Sequence, residues 1–149
     1  MTPYRVILAD NYAPLRQGLR RILNEQTDIE IAGEAEEGLD LLSLVRSTAA
    51  GPLMVILDLS LPKLRATEVI RAIKEANPET KVLILSIHED VEYLSQALAS
   101  GAEGYLMKES ASKDLLRAIA TIRQGNTYVP EVLPGVVPGW SLTNSSNGR

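Results

Sequence analysis

Leu53-Met54-Val55-Ile56-Leu57-Asp58-Leu59-Ser60-Leu61-Pro62 is the stretch whose reading decides the fold. An unbroken apolar run, rich in Val, Ile and Leu, leads into one carboxylate, and a proline closes the segment four residues later. Such a run reads as a strand buried on both faces, the mark of a parallel sheet covered on each side. A charge taken out of water must be paired or must bind a cation. Asp58 therefore belongs at the strand's end, where the sheet meets solvent.

The flanking chain repeats the pattern. Tyr4 to Asp10 (YRVILAD) is a second apolar run ending in a carboxylate. Leu15, Leu19, Ile22 and Leu23 recur at helical spacing, with Arg16, Arg20 and Arg21 assigned to a solvated opposite face. Glu30 to Ala35 reads as a short, weaker strand towards an edge. Leu39, Leu42 and Val45 mark a second helix to about Thr48, and Gly51-Pro52 punctuates before the opening strand. Val69, Ile70 and Ile73 mark a third helix stopped by Asn77-Pro78. Lys81 to Ile87 is another buried strand. Val91, Leu94 and Leu98 give a fourth helix that ends at Ser100-Gly101. Gly104 to Lys108 is a fifth strand, and Leu115, Leu116, Ile119 and Ile122 give a fifth helix, with Asp114 near its N-terminal dipole and Gly125 at its end. Five β-α repeats predict an α/β domain with a parallel sheet and helices on both faces.

Composition bounds the function. The 149 residues suffice for one ordinary domain, and 45% apolar content supplies a core. A net charge of −4 argues against a general nucleic-acid-binding surface. Without cysteine there are no disulfides, zinc thiolates or thiol chemistry. No apolar stretch approaches the roughly 18 residues of a membrane span, and Met1 to Arg5 runs directly into a strand without a signal peptide. The expectation is a cytoplasmic protein with no membrane association. After Gly125 the texture changes: Pro130, Pro134 and Pro138 interleave with glycines and a polar Ser141–Gly148 stretch follows. The domain is therefore expected over 1–125 and a largely disordered linker or tail over 126–149. Trp140 falls in that tail.

In open parallel sheets, sites form outside the carboxyl ends of the strands, at the switch in strand order. Asp10 with Asn11, Asp58, Ser86 and Lys108 all fall at such ends. The set suits phosphate. Asp10, Asn11 and Asp58 supply the hard oxygen ligands that Mg²⁺ prefers. A carboxylate beside the metal can act as nucleophile toward a phosphoryl group. Lys108 would neutralise charge on the transferring oxygens, and the Ser86 hydroxyl could hydrogen-bond the attached phosphoryl. Simpler readings exist for each: a strand-end turn for Asp58, a helix cap for Asp10 or Asn11, a backbone hydrogen bond for Ser86, a solvated loop for His88.

Five pieces together resemble the receiver domain of two-component response regulators, over roughly Tyr4 to Gly125. They are Ile7-Leu8-Ala9-Asp10-Asn11, Leu15-Arg16-Gln17-Gly18-Leu19-Arg20, Leu57-Asp58-Leu59-Ser60-Leu61-Pro62, Val82-Leu83-Ile84-Leu85-Ser86 and Gly101-Ala102-Glu103-Gly104-Tyr105-Leu106-Met107-Lys108. The wording is similar to the NarL/FixJ branch, in which a LuxR-like helix-turn-helix usually follows. The resemblance implies a flavodoxin-like (βα)5 three-layer sandwich with five strands in the order 2-1-3-4-5. It implies Asp58 as phosphoacceptor, Asp10 in an acidic pair holding Mg²⁺, and Ser60 lending a backbone carbonyl to the metal. Ser86 would be the switch hydroxyl, Tyr105 the switch aromatic and Lys108 the phosphate-pairing lysine. A sensor histidine kinase would supply the phosphoryl group, so the domain is a signalling module and not an enzyme in its own right. Homodimers would form through the first and fifth helices or through the face made by the fourth helix, fifth strand and fifth helix. DNA would be reached only through a C-terminal domain, for which no helix-turn-helix pattern is present after Gly125.

The sequence departs from the pattern in one place that matters. The second acidic position is Asn11, whose amide oxygen brings no charge to a metal. The expectation is weaker Mg²⁺ affinity and slower phosphorylation, or an atypical receiver that acts as a protein-interaction module without phosphate. Lys63 and Arg65 in the loop after Asp58 bring two cations near the site. A phospho-aspartyl hydrolase would carry a second acid two residues past its nucleophile, where this chain has Ser60. A flavodoxin-like electron carrier would need a phosphate-cradling loop where Asp10-Asn11 stands.

Overall fold

The computed structural model describes residues 2–62, 65–87 and 91–130. Strands β1 (Tyr4–Ala9), β2 (Ile29–Ala35), β3 (Leu53–Asp58), β4 (Thr80–Ser86) and β5 (Gly104–Met107) alternate with helices α1 (Ala13–Asn24), α2 (Gly38–Ser47), α3 (Ala66–Ala76), α4 (Val91–Ala99) and α5 (Ala111–Arg123). The strands form one parallel sheet in the order β2-β1-β3-β4-β5. This is the flavodoxin-like order expected from the resemblance.

All six residues of β3 are buried, in keeping with its central place. Its side chains alternate between two cores. Leu53, Val55 and Leu57 pack with Leu41, Ile70 and Leu94 from α2, α3 and α4. Met54 and Ile56 pack with Leu19, Leu23, Leu115 and Ile119 from α1 and α5. Two helical layers thus cover the sheet, and each fully buried Leu or Ile contributes about 1.5–3 kcal/mol relative to exposure.

Several boundaries shift from the expected ones for local reasons. Strand β4 ends at Ser86, and Ile87 is 71% exposed. Lys108 opens a short 3₁₀ turn (Lys108–Ser110) and does not close β5. In α2 the buried stripe is Gly38, Leu41, Leu42 and Val45, while Leu39 is exposed, because the spacing 38, 41, 42, 45 is the one that keeps a single helical face inward. The glycine stops hold: Gly101 and Gly125 follow α4 and α5 with φ of 110° and 91°, a region where side chains with a Cβ are strained.

The ordered chain continues past Gly125. The Tyr128 amide donates to the Glu103 carbonyl at 3.1 Å, and the Tyr105 amide donates to the Tyr128 carbonyl at 3.0 Å. This isolated parallel bridge lies along the free edge of β5, and the Tyr128 ring is buried in the α1/α5 core. It covers a strand edge that would otherwise present unpaired backbone groups. Of the tail expected over 126–149, the residues past 130, Trp140 included, lie outside the described residues, as do Lys63, Leu64 and His88.

Candidate functional site

The strand order reverses between β1 and β3, which run side by side with Ala9 opposite Leu57. Asp10 and Asp58 therefore emerge next to each other at the carboxyl edge. Both are buried, at 2% and 1% exposure. Each carboxylate divides its oxygens between two tasks. Asp10 Oδ1 accepts the Tyr12 amide at 2.8 Å, a turn that leads into α1. Asp58 Oδ1 accepts the Ser60 amide at 3.0 Å and the Ser60 hydroxyl at 2.9 Å. The remaining oxygens, Asp10 Oδ2 and Asp58 Oδ2, are buried without a hydrogen-bond partner among the described residues.

Both free oxygens face Lys108. Its Nζ lies 3.0 Å from Asp58 Oδ2 and 3.8 Å from Asp10 Oδ2, and its side chain is 18% exposed. The shorter distance makes Asp58 Oδ2 and Lys108 an ion pair. Burial pushes the Asp10 carboxyl above the ordinary carboxylate range. The Tyr12 amide opposes this, the Asp58 charge adds to it, and the Lys108 charge opposes it. One ammonium thus faces two buried carboxylates, and the pocket is short of positive charge.

Ser86 is buried at the end of β4, in register with Met107, and its predecessor Leu85 pairs with Asp58. Tyr105 is fully buried in the core shared with Leu94 and Ala97 of α4, on the face opposite Leu106. Ser60 occupies the loop after β3 with its hydroxyl turned onto Asp58. Asn11 is exposed beside the pocket. Arg65 precedes α3 and, with Leu59, Thr67 and Tyr93, lines a cleft of about 390 Å³ beside the Asp58 loop.

A divalent cation suits this donor set: two buried carboxylate oxygens are left without hydrogen bonds and turned to a common point. Asp10 and Asp58 would hold it, with the Asn11 amide as a neutral neighbour; among the described residues no group of three His, Cys, Asp or Glu side chains forms a metal cluster.

Arg16 is the site residue that sequence reading missed. The sequence expectation puts it on a solvated face, yet its side chain is only 14% exposed. Its Nη1 donates to the Asp10 carbonyl at 2.5 Å and its Nε to Glu34 Oε1 at 2.9 Å. The signal was in the spacing. Arg16, Leu19 and Leu23 stand at i, i+3 and i+7, on one helical face, so Arg16 points toward the sheet edge.

The sequence pattern of the response regulator receiver domain matches residues 6–120. The chain belongs to that family. It is 40% identical over 126 residues to the oxygen regulatory protein NreC of Staphylococcus epidermidis, covering 84% of this chain and 57% of that one. It spans little more than half the length of such curated relatives. Among solved structures it is similar to a LuxR-family two-component response regulator from Aurantimonas sp. (26% identity, TM-score 0.83, 95% of this chain and 99% of that one). It is also similar to the isolated receiver domain of RcsB from Salmonella enterica serovar Typhimurium, solved with the phosphomimetic BeF₃⁻ (27% identity, TM-score 0.77, 87% and 95%). The chain is thus a signalling receiver domain of the LuxR-family type. None of its described helices is long and apolar enough to cross a membrane.

Proposed function

We propose that this receiver accepts a phosphoryl group on Asp58 from a sensor histidine kinase and, in response, switches a transcriptional output. The observation that carries the reading is the convergence of two buried carboxylate oxygens, neither of them hydrogen-bonded, on Lys108 Nζ. Asp58 Oδ2, ion-paired with Lys108 and not held by a hydrogen bond in its own loop, serves as nucleophile. Its lone pair forms the O–P bond while the P–N bond of a phosphohistidine breaks. The electron pair of that bond stays on the imidazole nitrogen, and a proton on the ring, carried before transfer or taken up with it, returns the histidine as neutral imidazole. Ser60 holds the other Asp58 oxygen, which fixes the carboxylate for attack. Lys108 pairs with the charge on the transferred group. Asp10 and Asp58, with Asn11 and the Ser60 carbonyl nearby, would hold Mg²⁺, which would supply positive charge against the phosphoryl oxygens.

The attached phosphoryl adds about two negative charges and strong acceptor oxygens. Ser86 lies one strand over and serves as their hydroxyl donor. Tyr105, buried against α4 on the adjacent strand, reports the change to the face made by α4, β5 and α5. That face and the α1/α5 face are the two candidates for a homodimer contact. DNA contact belongs to whatever output domain the receiver controls. The RcsB receiver solved with a phosphomimetic supports a phosphate-responsive pocket in a relative of this fold.

The test is incubation with Mg²⁺ and acetyl phosphate, read by intact mass. The expected result is a gain of one phosphoryl group in the wild type and none in Asp58→Ala. No adduct on the wild type, or an undiminished one in Asp58→Ala, refutes the reading. A second reading draws on Asn11: with two carboxylates and an exposed amide, the domain works as a phosphate-independent interaction module. Partner binding unchanged by Asp58→Ala supports that alternative.

A further inference from the structure

We infer that Arg16 is a positioning residue for the acidic pocket, holding the turn that carries Asp10. The inference rests on the pocket being a Mg²⁺ site and adds to that reading a residue that touches neither metal nor phosphate.

With an amide at position 11, the negative charge available to a cation comes from Asp10 and Asp58. Asp58 is anchored in its loop by two hydrogen bonds from Ser60. The Asp10 carboxylate has one anchor of that kind, the Tyr12 amide. Its residue sits at the point where β1 gives way to the loop before α1. The backbone there is gripped from both sides. On one side the Asp10 amide donates to the Ala35 carbonyl at 3.0 Å. On the other, Arg16 Nη1 donates to the Asp10 carbonyl at 2.5 Å. The guanidinium is itself held, by Glu34 Oε1 at 2.9 Å and with Glu36 Oε1 at 3.5 Å. A planar fork can serve a carbonyl and a carboxylate together, which an ammonium on a flexible stem does poorly.

The charges also fit. Glu34 and Glu36 lie at the carboxyl end of β2 and offset the guanidinium, so Arg16 fixes the turn without placing a full uncompensated cation behind a cation site. Arg20 provides the internal comparison. It binds the same Glu34, at 3.1 Å, but is 46% exposed and has no contact with Asp10.

The experiment measures Mg²⁺ affinity of the unphosphorylated full chain by calorimetry for wild type, Arg16→Gln, Arg16→Lys and Arg20→Gln, with urea melts beside each. Groups that orient metal ligands typically govern affinity by ten- to a hundredfold. The expected result is a loss of about tenfold or more for Arg16→Gln, at most partial recovery in Arg16→Lys, whose ammonium cannot span the carbonyl and the carboxylate as the planar fork does, and no change for Arg20→Gln. A purely structural role would instead lower the melts of Arg16→Gln while leaving its affinity for Mg²⁺ intact, and that outcome overturns the inference. So does an Arg16→Lys protein that binds Mg²⁺ as tightly as wild type, since the argument rests on the planar fork. If Arg16→Gln does not fold, Glu34→Gln, which loosens the guanidinium's own anchor, takes its place: weakened Mg²⁺ binding supports the inference and unchanged binding overturns it. The phosphoacceptor reading fails separately. A wild type that takes no phosphoryl group but loses Mg²⁺ affinity in Arg16→Gln removes that reading and leaves Arg16 in its role.

Discussion

Replacing Lys108 by Met keeps the aliphatic stem and removes the one ammonium that faces both acids. At an effective dielectric of about 20, a unit charge at 3.0 Å from Asp58 Oδ2 interacts with it by roughly 5.5 kcal/mol, and one at 3.8 Å from Asp10 Oδ2 by roughly 4.4 kcal/mol. Against this gross attraction stands the cost of partly desolvating the ammonium, several kcal/mol. Removing one partner of a buried pair typically costs about 3–5 kcal/mol, because the remaining charge stays buried and uncompensated. The 18% exposure of the Lys108 side chain lets water offset part of this, so the expected loss lies at the low end, about 3 kcal/mol, or roughly 10 °C in Tm for a chain of this size.

The pH dependence gives the sharper test. Burial already raises the Asp10 pKa, and Lys108 is a group that holds it down. In Lys108→Met that restraint is gone, so the folded state takes up a proton at higher pH than the wild type does. A folded-state pKa above the unfolded value means that the folded form binds more protons, and stability rises as pH falls toward that pKa. The deficit of Lys108→Met should therefore be largest near pH 7.5 and shrink on acidification. Urea denaturation of the metal-free proteins across pH 5 to 8 at low salt measures it. A variant within about 0.5 kcal/mol of wild type at pH 7.5, or a deficit that grows as pH falls, would refute the electrostatic account of the pocket.

Three other outcomes are expected. Asp10→Asn keeps an oxygen for the Tyr12 amide but discards a buried charge with a raised pKa, so without metal it should be more stable than wild type by on the order of 1 kcal/mol at neutral pH. Urea melts should show that advantage fading on acidification, where the wild-type carboxyl protonates. Tyr128→Ala removes a buried ring from the α1/α5 core and frees the β5 edge; it should cost about 3 kcal/mol and speed exchange of the Tyr105 amide in hydrogen-exchange measurements. Asn11→Asp restores the carboxylate of the family pattern and should raise Mg²⁺ affinity about tenfold or more by calorimetry, with faster labelling by acetyl phosphate.

The central strands were legible in the sequence because burial on both faces leaves no ambiguity: Leu53 to Leu57 and Val82 to Leu85 admit no polar residue. Strand ends were less so. Ile87 looks like strand yet is exposed, since apolar character alone does not mark where backbone pairing stops. Leu39 shows the same limit in a helix, where one leucine too many fits more than one stripe. At the site, Asp10, Asp58 and Lys108 were readable as residues at strand ends. That each acid would keep one oxygen for its own turn was not, because a turn of two residues is set by local backbone geometry that periodicity does not encode.

The division of labour within each carboxylate ties fold to chemistry. An acid that used both oxygens in its loop would be well anchored and inert. One that used neither would be free to rotate, and its position would depend on the cation alone. Asp58 takes two donors from Ser60 on Oδ1, and Asp10 takes the Tyr12 amide on its own Oδ1. Both Oδ2 atoms are thereby aimed into one buried pocket before any ligand arrives. Preorganisation of this kind stores unfavourable charge in the resting protein, relieved in part by Lys108. The same arrangement makes the pocket responsive: an arriving cation or a changed charge on Asp58 meets groups that are already oriented and short of partners. On the proposed function, the buried charge that lowers resting stability and the readiness that switching requires would be consequences of one geometry. A substitution that stabilises the resting form by removing either acid, as expected for Asp10→Asn, should weaken the response to Mg²⁺ in the same protein.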